Sequence, residues 1–313
     1  MTDFSGNHET VLLNEAVELL ITNPSGVYVD ATFGRGGHSQ AILNALNDGG
    51  KLIAIDKDID ALKEAHKIFG EDSRFNIVHG SFADIEKHLL SLGISKVDGV
   101  LADLGVSSPQ LDDADRGFSF MKDGPLDMRM DRTSGVSASE WLASASAQEI
   151  ANVLRDYGEE KFSKRIASAI SEVCKAGLIR TTLELAKIVS DANPSWEKYK
   201  HPATRTFQAI RIKVNNELGD LERLLEGASS ILEKNGRLVV ISFHSLEDRI
   251  VKRFMRDKAK GNMPPPNIPV FEKDIVRHFK LIGKAIKPSD REVSNNIRSR
   301  SAVMRILEKI SND

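Results

Sequence analysis

Cysteine and long apolar runs are scarce in this sequence of 313 residues. Cys174 is the single cysteine, so no intrachain disulfide can form and a cysteine-based zinc site is excluded. We expect its side chain to pack among helices. No apolar run approaches the roughly 18 residues that cross a bilayer, and the first residues lack the pattern of a secretory signal. We therefore expect a soluble cytoplasmic protein that does not enter a membrane.

The charged residues are unevenly distributed, although the formal net charge is only −2. Residues 1–248 carry 27 lysines and arginines against 38 aspartates and glutamates, a balance of −11. Residues 249–313 carry 16 against 7, a balance of +9. A basic segment of this kind is expected where a protein faces phosphates, and a solvated amphipathic face is the alternative.

Four apolar, β-branched runs in the first third of the sequence are typical of strands: residues 27–31, 51–56, 74–78 and 97–103. Helical patterns separate them, most clearly over residues 60–69. Strands that alternate with helices predict a parallel sheet with right-handed crossovers, so we expect a doubly wound α/β core. The strand pattern resumes over residues 236–243, and residues 301–307 can close the same sheet.

Helical periodicity replaces this alternation in the middle of the chain. We expect helices to begin at Ser139 and Thr181, where capping signals stand. The pattern predicts a discontinuous core, residues 1–111 and 216–313, and an inserted helical domain for substrate recognition, residues 112–215. Residues 263–269, Met-Pro-Pro-Pro-Asn-Ile-Pro, cannot form a regular helix or a central strand and predict an exposed loop.

A glycine-rich turn follows the first strand, where residues 30–39 read Asp-Ala-Thr-Phe-Gly-Arg-Gly-Gly-His-Ser. Glycines at the carboxyl end of a strand let a ligand approach the backbone closely, which is typical of nucleotide-binding turns. Asp56 ends the second strand 20 residues after Gly36. There a carboxylate can accept hydrogen bonds from both hydroxyls of a ribose, and capping of the strand end is the alternative.

The spacing of these glycines favours a cofactor without pyrophosphate, because Gln40 or its neighbours replace the third glycine of dinucleotide-binding turns. S-adenosyl-L-methionine carries adenine, ribose and a zwitterionic methionine and fits this pattern. Phe82, after the third strand, can flank the adenine or belong to the core. Asp103 closes the fourth strand beside the expected methyl donor, or else caps the following turn. These features predict a Rossmann-like, S-adenosylmethionine-dependent methyltransferase sheet.

Seven long motifs follow one another along almost the whole chain. They are His8 to Leu13, Thr32 to His38, Asp103 to Asp112, Arg116 to Met121, Gly124 to Met130, His201 to Gln208 and Ser242 to Arg249. With them the sequence resembles the RsmH (MraW) family of ribosomal RNA methyltransferases. The resemblance implies N4-methylation of a cytidine in the decoding centre of 16S ribosomal RNA, within the small ribosomal subunit. It also implies cofactor contacts from Gly36, Gly37, His38, Asp56, Phe82, Asp103 and Gln110.

Asp103 is the candidate catalytic residue, because an exocyclic amine has a delocalised lone pair and must be oriented by an acceptor for one of its hydrogens. Amino-methyltransferases of DNA often carry an aromatic residue in the motif that begins at this point. The segment after Asp103 contains none, so Phe118, Phe120 or Phe243 must stack on the target base, or the inserted domain provides the stacking residue.

Gln110 and two histidines have open roles. The Gln110 side chain can hold the methionine end of the cofactor or read the cytosine edge, and hydrogen bonds that stabilise the turn are the alternative. His38 and His244 are residues of a type that binds metals, and Glu247 and Asp248 stand near His244, but methyl transfer from a sulfonium needs no metal, so we expect none. The candidate RNA-binding residues are Arg205, Arg211, Lys213, His244, Arg249, Lys252, Arg253 and Arg256.

Three other functions compete with this interpretation. A nicotinamide-dependent dehydrogenase is disfavoured by the glycine spacing. A non-catalytic RNA-binding factor for ribosome assembly, which uses the cofactor only structurally, is compatible with the sequence. An amino-methyltransferase that acts on another nucleic acid would perform the same chemistry. A homodimer through the inserted domain also stays open, although no heptad pattern or repeated apolar seam supports it.

Overall fold

The computed structural model describes residues 10–195, 201–262 and 275–311. His8 and the predicted Pro-rich loop over residues 263–269 lie outside these ranges. The chain divides into two compact units: residues 1–105 with 219–313, here called the sheet unit, and residues 106–218, here called the helical unit. Within the described ranges, no helix combines the length and the apolar character needed to cross a bilayer.

Strands and helices alternate along the sheet unit, and the described part of the helical unit consists of helices joined by irregular segments, of which residues 117–137 are the longest. The strands are β1 Val27–Asp30, β2 Lys51–Asp56, β3 Phe75–His79, β4 Val97–Asp103, β5 Leu232–Ser242, β6 Phe279–Leu281 and β7 Val303–Lys309. The helices are α1 Leu13–Leu20, α2 Gly37–Ala45, α3 Ile59–Phe69, α4 Ile85–Ser91, α5 Ser108–Asp112, α6 Ala138–Ser144, α7 Ala147–Asp156, α8 Ser163–Ala176, α9 Thr182–Ala192, α10 Ala203–Asn215, α11 Glu217–Ile231, α12 Ser245–Lys260 and α13 Asp290–Asn295.

The seven described strands form one sheet in the order β3-β2-β1-β4-β5-β7-β6. Strands β1 to β5 are parallel, whereas β7 runs antiparallel to both β5 and β6. The strand order reverses between β1 and β4, which opens a crevice outside the carboxyl ends of these two strands. The predicted α/β fold with a parallel sheet is confirmed.

Both faces of the sheet are buried, as the continuous apolar runs predict for parallel strands. Alternate residues of β4 point to opposite cores: Val100 and Ala102 pack with α4, α11 and α12, while Leu101 packs with α1, α2 and α3. The same alternation places Val240 in the first core and Ile241 in the second. Side chains at the end of a strand therefore point to one face or the other, depending on whether their position along the strand is odd or even.

The helical unit has its own apolar core, built mainly from residues of α6 to α10. The boundaries expected at 111/112 and 215/216 differ from those in the structure, which lie after Gly105 and after Leu218. Val106 and Leu111 pack against the helical core, so α5 belongs to this unit. The Cys174 side chain is half-buried in α8 and packs against the same core.

Two local predictions need correction, and one short strand was not predicted. The α6 cap is Ser137 rather than Ser139: Ser137 and Glu140 form a reciprocal capping box, while the Ser139 hydroxyl donates to the Ile179 carbonyl. Strand β5 begins at Leu232, directly after α11, four residues before the predicted start. Strand β6 has only three residues, too few for a recognisable pattern in the sequence.

Candidate active site in the sheet unit

Three aspartates end neighbouring parallel strands: Asp30 on β1, Asp56 on β2 and Asp103 on β4. Thr32 connects two of them, because its backbone N–H donates to Asp30 Oδ1 at 3.1 Å and its hydroxyl accepts the backbone N–H of Asp103 at 2.7 Å. Ser39 donates to Asp30 Oδ2 at 2.7 Å. The glycine-rich turn is thereby joined to the ends of β1 and β4.

Asp56 is held by the two turns around it. Its Oδ2 accepts from the Gly34 N–H at 2.8 Å and its Oδ1 from the Asp58 N–H at 2.9 Å. Burial nevertheless raises the pKa of Asp56 to about 6, because the loss of hydration outweighs these hydrogen bonds. A carboxylate in this position retains acceptor capacity for further donors.

The pKa of Asp30 is likewise raised to about 6, chiefly by burial, with a smaller contribution from the charge of Asp56. Asp103 shows the stronger effect: burial, together with the charges of Asp30 and Glu247, raises its pKa well above the usual range. Asp103 Oδ1 is buried and has no hydrogen-bond partner among the described residues. A buried acceptor of this kind indicates a place where a ligand supplies the missing donor.

His38 lies beside Asp103, with its Nδ1 at 3.7 Å from Asp103 Oδ2. The imidazole is 4% exposed, and burial lowers its pKa to about 4. It is therefore uncharged at neutral pH and does not neutralise the carboxylate. His38 is the second residue of α2, which begins at Gly37.

Gly36 supplies the turn that leads into α2. Its φ of 76° lies in the left-handed region, and an added Cβ would lie 2.8 Å from the rings of Phe33 and Phe69. The turn therefore requires glycine, and it brings the backbone N–H groups at the start of α2 to the crevice. These N–H groups favour a carboxylate or another anion.

Phe82 begins the turn after β3 and packs partly against the core. Lys57 Nζ lies 5.6 Å from the centre of its ring. Lys57 also forms an ion pair with Asp220 of α11, whose carboxylate accepts from the Ser81 hydroxyl at 2.9 Å. Sequence reasoning missed Lys57 and Asp220, because no local pattern connects residues so far apart in the chain.

Gln110 belongs to the helical unit, where it caps α5. Its Oε1 accepts from the Ser107 N–H at 3.0 Å, and Pro109 stands in the first turn of the helix. The Gln110 side chain is 6% exposed. The hydrogen bond that stabilises this turn is present, and the expected cofactor contact stays a prediction.

The basic candidates on α12 share one exposed face, because they recur at intervals of three and four residues. The opposite face packs into the core through Val251 and Met255. We call this exposed surface the α12 basic face; it consists of Arg249, Lys252, Arg253 and Arg256.

The remaining RNA candidates differ in their partners. Arg211 is only 15% exposed and forms a bidentate ion pair with Glu217 at 2.7 and 2.8 Å, whereas Lys213 is exposed and Arg205 is half-buried. His244 caps α12: its Nδ1 accepts from the Glu247 N–H at 3.4 Å, and its Nε2 lies 3.2 Å from Glu247 Oε1. These contacts give Arg211 and His244 structural partners, and their RNA contacts stay predictions.

The comparison with known proteins decides the family. The family model described as "MraW methylase family" matches residues 5–310. The chain belongs to this family. The resemblance deduced from the motifs is therefore confirmed, and the chain is a methyltransferase.

Curated relatives of this methylase agree over their full length. Ribosomal RNA small subunit methyltransferase H of Legionella pneumophila (strain Corby) is 57% identical over 305 residues, covering 97% of this chain and 99% of the relative. The protein of the same name from Marinomonas sp. (strain MWYL1) is 55% identical over 312 residues, covering 99% and 100%. That from Alteromonas mediterranea is 55% identical over 306 residues, covering 97% of each.

The cofactor of this methylase is S-adenosyl-L-methionine, as expected from the sequence. The residues present fit it: Asp56 offers acceptors for ribose hydroxyls, and the amino end of α2 suits a carboxylate. Asp103 offers a buried acceptor without a partner, and the three raised carboxyl pKa values mark a place that favours a cation.

Proposed function

We propose that this methylase transfers a methyl group to N4 of a cytidine in the decoding centre of 16S ribosomal RNA. Its relatives carry the name ribosomal RNA small subunit methyltransferase H, which supports ribosomal RNA of the small subunit as the substrate. The cytosine-N4 position and the decoding centre rest on the motif resemblance. The observation that carries the proposal is the unpartnered carboxylate oxygen of Asp103 at the carboxyl end of β4.

The cofactor supplies an electrophilic methyl group on a sulfonium centre. We assign its ribose hydroxyls to Asp56, its adenine to the side of Phe82, and its methionine end to Gly36, Gly37 and His38. These assignments follow the positions of the residues at the strand ends and in the turn. Gln110 stays a candidate contact from the helical unit.

Asp103 orients the target amine in this proposal. Its backbone N–H is bound to Thr32, so the start of the turn after β4 is fixed in place, while Oδ1 is available to accept an amine hydrogen. Accepting that hydrogen increases the electron density on nitrogen as the new N–C bond forms. Positioning in line with the methyl group supplies much of the remaining rate acceleration.

The methylated amine carries a positive charge and must lose a proton to give the neutral product. Asp103 is the acceptor that we propose, because its raised pKa makes its carboxylate a stronger base than an exposed aspartate. The proton then passes from Asp103 to solvent when the product leaves. His38 has a lowered pKa, so it is the weaker candidate for this step.

We propose that the α12 basic face contacts RNA phosphates, together with Lys213 and Arg205, and that the helical unit takes part in substrate recognition. Exposure and regular spacing support the α12 residues. Arg211 is a weaker candidate because Glu217 already occupies both of its paired N–H groups. A cytoplasmic location, the absence of a metal and the homodimer stay predictions.

Methyl transfer from labelled S-adenosylmethionine to unmodified small ribosomal subunits tests the function. The product is digested to nucleosides and identified by mass spectrometry. We expect N4-methylcytidine with the wild-type protein and its absence with Asp103→Ala. Cofactor binding without methylation of subunits or free RNA would instead favour a non-catalytic assembly factor, and label on another acceptor would favour an amino-methyltransferase of different substrate.

A further inference from the structure

We infer that Phe243 is the residue on which the target cytosine stacks, an inference that rests on the proposed function. The segment after Asp103 has no aromatic residue, yet an unstacked base needs a planar surface to replace the neighbours that it loses. Phe243 directly follows β5, the strand adjacent to β4 in the sheet.

The register of the two strands places Phe243 close to the end of β4. Asp103 is paired with Ile241, and the Leu104 N–H donates to the Ile241 carbonyl at 2.9 Å. The Phe243 ring edge, at Cδ2, lies 3.8 Å from the position that a Cβ on Gly105 would occupy. Phe243 therefore borders the turn that begins with the proposed catalytic carboxylate.

Phe243 lies on the same face of the sheet as Ile241. It packs partly against the core formed with α1, α2 and α3, the face to which Ile241 points. The residue is only half-buried there. A ring supported on one side and accessible on the other provides a stacking surface.

The backbone around Phe243 is fixed by Glu247, which is 2% exposed. Glu247 Oε2 accepts the Phe243 N–H at 2.8 Å and the His244 N–H at 3.2 Å. The bond to His244 belongs to the capping box of α12, so Glu247 ties the backbone of Phe243 to the start of a 16-residue helix. With the backbone fixed in this way, only the side-chain torsions of Phe243 remain to be ordered when the base arrives.

The other phenylalanine candidates are engaged elsewhere. Phe118 is 6% exposed in the core of the helical unit. Phe120 packs against His201 and Phe207, with ring centres 4.6 and 4.9 Å away. Phe82 lies at the end of β3 next to Lys57 and is assigned to the adenine side of the cofactor.

Four variants at one position test the inference: Phe243→Ala, Phe243→Leu, Phe243→Tyr and Phe243→Trp. We measure kcat/KM for unmodified small subunits, the Kd of S-adenosylmethionine and the Tm of each. Loss of a base–aromatic stack predicts a fall in kcat/KM of about tenfold or more for Ala and Leu. Tyr and Trp should stay within about threefold of wild type, because each keeps a planar ring. Cofactor Kd should be unchanged throughout.

Phe254→Ala is the matched control, because Phe254 is a half-buried phenylalanine on α12 that lies next to Lys258. It should lower Tm without lowering kcat/KM. If Phe243→Ala fails to fold, the inference is tested by comparing Phe243→Leu with Phe243→Tyr, because both side chains are large enough to fill the site.

Two results would overturn the inference while leaving the proposed function intact. In the first, Phe243→Leu is as active as Phe243→Tyr. In the second, all four variants are equally impaired while the wild-type protein forms N4-methylcytidine. Failure of the wild-type protein itself to form N4-methylcytidine would overturn the proposed function and this inference with it.

Discussion

The side chains of His38 and Asp103 face each other without forming an ion pair. Nδ1 of the imidazole lies 3.7 Å from Oδ2 of the carboxylate. Burial lowers the pKa of His38 to about 4 and raises that of Asp103 well above its usual range, so it favours the uncharged form of both. A cation bound beside Asp103 would restore its ionised form, which suits a site for a sulfonium cofactor.

We predict that Asp103→Asn lowers the rate of methyl transfer at saturating cofactor by about 10²- to 10³-fold, because an amide is a poor proton acceptor. Single-turnover measurements on small subunits check this. Asp98→Asn is the control: Asp98 lies on the same strand and accepts from the Val27 N–H at 2.9 Å. Its replacement should leave the rate unchanged. A fully active Asp103→Asn variant would remove Asp103 from the mechanism.

The same substitution should stabilise the cofactor-free protein. A carboxyl group whose folded pKa is raised opposes folding above that pKa and has no such effect below its unfolded pKa near 4. The Tm of Asp103→Asn should therefore exceed that of wild type at pH 8, and the difference should shrink towards pH 4. Thermal unfolding of both proteins over this range measures the difference. If the difference in Tm between the two proteins stayed constant with pH or changed sign, the raised pKa of Asp103 would be contradicted.

Cofactor affinity should fall as the pH decreases through about 6, because protonation of Asp56, whose pKa is about 6, removes the charge and part of the acceptor capacity of its carboxylate. Calorimetric titration between pH 5 and pH 8 measures this dependence. Asp56→Asn should bind more weakly at pH 8 and show a shallower pH dependence, with Asp30 accounting for the remainder. Asp60→Asn, a substitution at an exposed position of α3, is the control. If cofactor affinity depended on pH in the same way for Asp56→Asn and wild type, the role of Asp56 would be refuted.

Arg74 should contribute to stability without contributing to activity. Its guanidinium pairs with Asp72 and also donates to the carbonyls of Leu43 and Leu46, each at 3.0 Å, at the end of α2. Arg74→Ala leaves these acceptors without their donor, and we expect unfolding free energy to fall by about 1–3 kcal/mol. Chemical denaturation measures this loss. Arg155→Ala, which removes only an exposed neighbouring pair, should have little effect. Unaltered stability of Arg74→Ala would be inconsistent with this role.

Replacing the four residues of the α12 basic face with alanine should weaken RNA binding and reduce the slope of log K against log salt by about 3. Filter binding over a range of salt concentrations measures the slope. A variant with the same change in charge at exposed lysines elsewhere, Lys51, Lys63, Lys67 and Lys87, is the control. Equal slopes for the two variants would show that the α12 basic face makes no specific contact with RNA.

Much of the sheet could be predicted because its strands are buried on both faces and read as continuous apolar runs. Asp56 and Asp103 could be located because each ends such a run. The Lys57–Asp220 pair could not, because an ion pair between distant segments leaves no periodic signal. The α6 cap was misplaced because Ser137 and Ser139 both precede Glu140, and only the three-residue spacing from Ser137 forms the capping box.

The pairing of β4 with β5 has a consequence for folding. Asp103 lies opposite Ile241, yet the whole helical unit stands between them in the chain. Pairing two segments so far apart in the chain is opposed by the entropy of closing a long loop, whereas local helix formation closes only short loops. A helical unit that has already collapsed brings its two ends nearer and reduces this entropy. Residues 106–218 should therefore acquire protection from hydrogen exchange before the paired strands β4 and β5 do.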